Sequence, residues 1–215
     1  MSANTPTVYL VDDDASFLRA TARLLRATGF TVKTYVSAGE FLGALTDDDA
    51  GCALVDLMMP EMSGLELQSA LAQRGQMLPV VFLTGDGDIP ASVRAMRGGA
   101  EDFLEKRVPK EELLGAISRA LQRDARLRSE RERVCNLRAR FDALTARELE
   151  VLGHVVRGQL NKQIAADLGI HERTVKLHRT AITTKLGVPS VAELTQLSHE
   201  AQIFAQRVQT FPKGQ

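Results

Sequence analysis

In the first half of the chain, apolar residues come in short runs: TVYLV (7–11), FTVKTY (30–35), CALVD (52–56), PVVFLT (79–84) and DFLEK (102–106). Between the runs they recur at helical spacing, as in SFLRATARLLRATG, AGEFLGALT, GLELQSALAQRG, PASVRAMRGG and PKEELLGAISRAL. Runs of Val, Leu and Ile type suit strands buried on both faces, and the intervening helices provide parallel crossovers. Five such units predict an α/β fold, a five-stranded doubly wound parallel sheet of flavodoxin-like order.

Residues 109–141 read as one long helix. It is amphipathic at first, through Leu113, Leu114, Ile117 and Leu121, and then highly charged through QRDARLRSERERVCNLRARF. Leu113, Ala120, Leu127, Val134 and Phe141 recur every seven residues, but the companion seam Ala116, Arg123, Glu130 and Leu137 is interrupted by charge. A coiled coil and a solvated linker helix both stay open.

From residue 142 the pattern is helical, with no strand signal. LTARELEVLGHVVRG has Thr145 as cap, Glu148 three residues on, and Gly158 as stop, the signature of a capping box and a glycine terminus. NKQIAADLG opens at Asn161 and closes at Gly169; IHERTVKLHRTAITTKLG closes at Gly187; SVAELTQLSHEAQIF follows behind Ser190. The two middle helices, joined by a short turn, predict a helix-turn-helix. The expected organisation is an α/β domain over 1–122, a linker helix over 123–141, and an all-α domain over 142–208.

Composition adds little until it is split. Lys plus Arg equals Asp plus Glu over the 215 residues. Residues 1–123 nevertheless carry 17 acids against 12 bases, and residues 124–215 carry 10 against 15, an asymmetry that suggests two jobs. Cys52 and Cys135 are isolated, which points to a reducing compartment rather than a metal or disulfide framework. The MSANTPT start has no signal-peptide pattern, and no apolar run approaches the ~20 residues of a membrane span. A cytoplasmic protein without membrane contact is expected.

In doubly wound sheets, ligands bind at the carboxyl ends of the strands. There the sequence places Asp12 and Asp13 after the first strand, Asp56 after the third, Thr84 on the fourth and Lys106 after the fifth. Clustered carboxylates repel unless a cation relieves them, and magnesium, a hard ion that keeps waters and binds phosphate, fits best. A carboxylate beside magnesium can attack phosphorus and form an aspartyl phosphate. Lys106 and Thr84 are then placed to contact the phosphoryl oxygens. Asp14 suits the start of the following helix, where acidic groups oppose the dipole favourably.

These pieces, VDDD (11–14), DLMMPEMSG (56–64), LTGDGD (83–88) and AMRGGAEDFLEK (95–106), resemble the receiver domain of two-component response regulators. The resemblance implies Asp56 as phosphoacceptor, Asp12 and Asp13 as the acidic pair, and magnesium held by Asp13, Asp56 and the Met58 carbonyl. It further implies Thr84 as switch hydroxyl, Phe103 as aromatic switch and Lys106 as the phosphate-sensing lysine, with a sensor histidine kinase as donor. One departure stands out: Arg107 follows Lys106 where receivers usually have proline, often cis. A non-proline cis bond costs about 3–4 kcal/mol, so either a trans peptide or a strained cis one is expected.

LTARELEVL, Gly158, NKQIA, LGI, TVKLHR and KLGV resemble, in order and spacing, the LuxR-type helix-turn-helix, and the whole chain is similar to FixJ/NarL regulators. Residues 173–185 carry Arg173, Lys176, Arg179 and Lys185 without an acid, as a major-groove helix requires. Val175, Ile182 and Leu186 should pack inward. Lys176, Leu177 and Thr180 are candidates for base edges, and Thr174, Arg179 and Lys185 for phosphates. His171 stands where the family more often has Ser, and imidazole is the poorer cap.

The resemblance implies a phosphorylation-controlled transcription factor, not an enzyme. It would bind promoter duplex DNA as a homodimer formed on phosphorylation and act through RNA polymerase. Two other readings of the residues stay open: a magnesium-dependent phosphohydrolase using the same rim, and a DNA binder whose first domain serves only to dimerise.

Overall fold

The computed structural model describes residues 6–85, 89–188, 193, 194 and 197. The expected last helix, opening at Ser190, and the centre of the TGDGD loop lie largely outside them. The chain divides into two compact units, one up to Ser129 and one from Glu130 onward.

The first unit alternates strand and helix: β1 Thr7–Val11, α1 Ala15–Ala27, β2 Thr31–Tyr35, α2 Ala38–Ala44, β3 Gly51–Asp56, α3 Gly64–Gln73, β4 Val80–Thr84, α4 Ile89–Arg97, β5 Asp102–Glu105 and α5 Lys110–Asp142. The sheet order is β2-β1-β3-β4-β5, and all pairs are parallel. Strands β1, β3 and β4 are buried along their whole length, which is why their sequences show no polar alternation. Successive side chains still point to opposite faces. Tyr9, Val11, Ala53, Val55 and Phe82 pack under α2, α3 and α4, while Val8, Leu10, Cys52, Leu54 and Leu83 pack under α1 and α5.

The first unit reaches further along α5 than the expected boundary at 122. The buried stripe Leu113, Ile117, Ala120 continues to Asp124, itself buried. Asp124 Oδ2 accepts a hydrogen bond from the Gly51 amide at 2.9 Å. Arg128 Nε donates to the same oxygen at 3.0 Å, and its Nη1 donates to the Asp48 carbonyl at 3.4 Å. Gly51 has φ +139°, and a Cβ there would stand 1.8 Å from the Thr7 carbonyl oxygen. Only glycine fits this crossing of β3 with the start of β1.

In the second unit, α6 Ala146–Val156, α7 Asn161–Leu168 and α8 Glu172–Leu186 enclose Val151, Leu152, Val155, Ile164, Val175, Ile182 and Leu186. The Thr145–Glu148 capping box forms as the sequence predicts. Gly169 ends α7 at φ 63° and turns the chain into α8. His171 occupies the N-cap of α8 and makes no side-chain cap hydrogen bond, in line with the poor capping expected of imidazole.

Candidate functional site

Parallel strands β1 and β3 end side by side, and this brings their terminal aspartates together. Asp12 is fully buried and Asp56 is 6% exposed, while Asp13 faces solvent. One carboxylate oxygen from each of the three lies within 4.8 Å of the others. Lys106, from the turn after β5, places Nζ 2.7 Å from Asp12 Oδ2 and 3.3 Å from Asp56 Oδ2. Its own amide donates to the Thr84 carbonyl at 2.7 Å, tying the turn to the end of β4.

The electrostatics follow from this crowding. Burial, and then the charge of Asp12, hold the Asp56 carboxyl above its ordinary value despite the nearby ammonium. Burial alone would push Lys106 down, but hydrogen bonding and charge from Asp12 and Asp56 together raise it. Asp14 stands apart from the cluster. It caps α1, accepting from the amides of Ser16 and Phe17 at 2.7 and 3.2 Å, and these bonds lower its pKa.

The donor set suits a hard divalent cation. Asp12 Oδ2 is buried and faces the Lys106 ammonium at 2.7 Å. Three carboxylates against one ammonium leave the pocket negative, and oxygen ligands of this type match magnesium.

Thr84 is buried at the end of β4, and Phe103 on β5 is partly buried with its ring centroid 6.2 Å from that of Phe82. No described peptide is cis, so the Lys106–Arg107 bond is trans. This resolves the alternative that the missing proline raised. The Met58 side chain is exposed while its amide donates to the Asp56 carboxylate.

On α8, the inward set is as expected: Val175, Ile182 and Leu186 are fully buried. Lys176, Leu177 and Thr180 are exposed, and Leu177 at 64% is unusually bare for a leucine. Thr174 is half-buried. Two of the expected phosphate contacts have partners inside the domain. Arg179 Nη1 donates to Asn161 Oδ1 at 2.8 Å, linking α8 to the start of α7. Lys185 Nζ lies 2.7 Å from Glu148 Oε2. That second pair was not apparent in the sequence, because the capping-box pattern explains Glu148 by itself. Lys185, like Arg179, thus has a partner within the domain.

The Lys185 hydrogen bond, followed by that of the Thr145 amide, lowers Glu148 from 4.5 to about 2. A depressed carboxylate contributes stability that is complete above its unfolded value and lost as pH falls through the folded one. Hence the methyl resonances of Val175 and Ile182 in the full chain should stay native at pH 4 and lose dispersion towards pH 2. Lys185→Gln should lower stability at neutral pH and shrink the part of the loss that falls between pH 4.5 and 2. An identical acid transition in both proteins would show that the pair contributes nothing.

Comparison with known proteins agrees with this geometry. The response regulator receiver domain family matches residues 8–118, and the bacterial regulatory proteins of the luxR family match residues 142–198. The chain is 42% identical to the response regulator protein TodT of Pseudomonas putida over 92% of its own length and 87% of TodT. It is 38% identical to the transcriptional regulatory protein FixJ of Rhizobium meliloti over 89% and 94%. The solved structure of the response regulator StyR matches with TM-score 0.87 at 45% identity, covering 91% of this chain and 99% of that one. The chain is a FixJ-type two-component response regulator. Members of this family are transcriptional regulators with a DNA-binding domain, not enzymes, so the phosphohydrolase reading falls away. The regulator's receiver and DNA-binding domains imply a histidine kinase and DNA as partners, and no helix among the described residues is long and apolar enough to cross a membrane.

Proposed function

We propose that a sensor histidine kinase phosphorylates Asp56 and that this controls dimerisation and promoter binding. The observation that carries the reading is the meeting of Asp12, Asp13, Asp56 and Lys106 on one strand-end rim. Asp13, Asp56 and the Met58 carbonyl would hold magnesium, with Asp12 alongside. The ion when bound offsets the charge of the carboxylates and of the incoming phosphoryl oxygens. Asp56 supplies the attacking oxygen, and Lys106 and Thr84 receive the new negative charge. Phe103 follows Thr84 inward and alters the surface between α4 and β5, biasing a two-state equilibrium towards a dimer.

In this reading the receiver carries the switch and residues 142–208 bind DNA, with the intervening helix as linker. Lys176, Leu177 and Thr180 approach base edges, while Thr174, Arg179 and Lys185 approach phosphates. A homodimer presents two recognition helices to two half-sites and engages RNA polymerase in the cytoplasm.

Footprinting of the neighbouring promoter region, with and without acetyl phosphate and magnesium, tests the whole scheme. Protection should appear or strengthen on phosphorylation; protection that is unchanged would leave the receiver as a dimerisation module only. In the same assay, Lys176→Ala should weaken specific binding by about tenfold, the loss of one base-edge contact, while phosphorylation is unaffected. Unchanged affinity would place the recognition face elsewhere.

A further inference from the structure

We infer that Phe17 is a positioning residue for Lys106, its ring holding the ammonium where it can meet a phosphoryl group on Asp56. The inference rests on the proposed role of Asp56. The Nζ of Lys106 stands 4.6 Å from the Phe17 ring centroid, inside the range of about 6 Å over which the negative face of an aromatic ring attracts a cation. The same nitrogen lies 2.7 Å from Asp12 and 3.3 Å from Asp56. Phe17 therefore completes a cage whose other walls are carboxylates. With the lysine side chain only 20% exposed, little water competes for the ammonium.

The placement of the ring comes from the aspartate triplet. The Asp14 amide donates to Asp12 Oδ1 at 2.9 Å, and Asp14 Oδ1 accepts from the Phe17 amide at 3.2 Å. Asp12 thus fixes Asp14, Asp14 fixes the first turn of α1, and that turn carries the ring to Lys106. Asp12 reaches the lysine directly through its other oxygen. A lysine side chain has four rotatable bonds and no intrinsic direction. With Arg107 in place of the usual proline, its main chain is held by the Thr84 carbonyl, and its far end by this cage. Leucine would fill much of the same space but offer no negative face.

The test compares Phe17→Leu with Phe17→Tyr in the full chain, phosphorylated by acetyl phosphate across a magnesium series. Phe17→Leu should lower the maximal rate about fivefold, with half-saturating magnesium unchanged, and Phe17→Tyr should retain the wild-type rate. In the wild-type protein, the ε-methylene protons of Lys106 should show an upfield ring-current shift that Phe17→Leu removes. A wild-type rate in Phe17→Leu would overturn the inference, as would equal slowing in both variants or an unshifted lysine in the wild type. Failure of the Asp56 reading looks different: the wild-type chain itself takes no label, while the ring-current measurement still decides whether Phe17 holds Lys106.

Discussion

Asp56→Asn protein incubated with acetyl phosphate and magnesium should acquire no phosphoryl group, whereas the wild-type chain should acquire one that is stable to acid and labile to base. In the proposed scheme, a carboxylate oxygen of Asp56 attacks phosphorus, the P–O bond to acetate breaks, and acetate leaves. The product is an acyl phosphate, which accounts for the base lability. An amide in the same place has the same shape but neither the charge nor the nucleophilicity. Asp12 is not a substitute in the scheme, since it is committed to the Asp14 amide and Lys106. Intact-mass measurement decides the matter; labelling that survives Asp56→Asn would remove Asp56 from its proposed role. The same substitution takes one charge from a crowded, mostly buried cluster. Its folded state should therefore be no less stable than the wild type.

Gly51→Ala should disrupt the receiver. The position has φ +139°, and the added methyl would lie 1.8 Å from the Thr7 oxygen and 2.7 Å from the Thr7 carbon and nitrogen. All three are main-chain atoms of β1, so no side-chain rotation can make room. The strands would have to separate where β3 pairs with β1, and the Gly51 amide would shift from Asp124. Backbone strain alone amounts to about 1–3 kcal/mol; with the displaced strand and the loosened buried carboxylate, the loss should exceed about 4 kcal/mol. Thermal unfolding followed by circular dichroism would show the receiver melting far below the wild type, while the second unit keeps its own transition. A receiver transition within a few degrees of the wild type would mean that β3 can shift at little cost.

The sheet was legible because its central strands are buried on both faces and so appear as unbroken apolar runs. The rim was legible for a related reason: in a parallel sheet all strand ends of one kind fall on one side, so Asp12, Asp56, Thr84 and Lys106 could be brought together from their strands alone. What stayed hidden depends on which elements cross. Asp124 sits on the buried stripe of Leu113, Ile117 and Ala120, but its surroundings in sequence are so charged that it read as one more solvated group. Phe17 meets Lys106 only because α1 and the turn after β5 pack on the same edge of the rim. Lys185, a phosphate candidate by its charge, also pairs with an acid inside its own domain. A sequence shows the charge of a lysine but not that a glutamate 37 residues earlier already engages it.

The Asp124 anchor also bears on how such regulators can be recombined. Swapping receivers between relatives invites a joint at residue 122, where the familiar α/β repeat is complete. That joint would separate a carboxylate from the Gly51 amide it serves and graft in whatever residue the recipient carries at 124 and 128. A chimera joined after Ser129 keeps the latch with the strand it closes. Along this continuous helix, the seam between exchangeable modules lies about two and a half turns beyond the last strand-covering residue, Ala120.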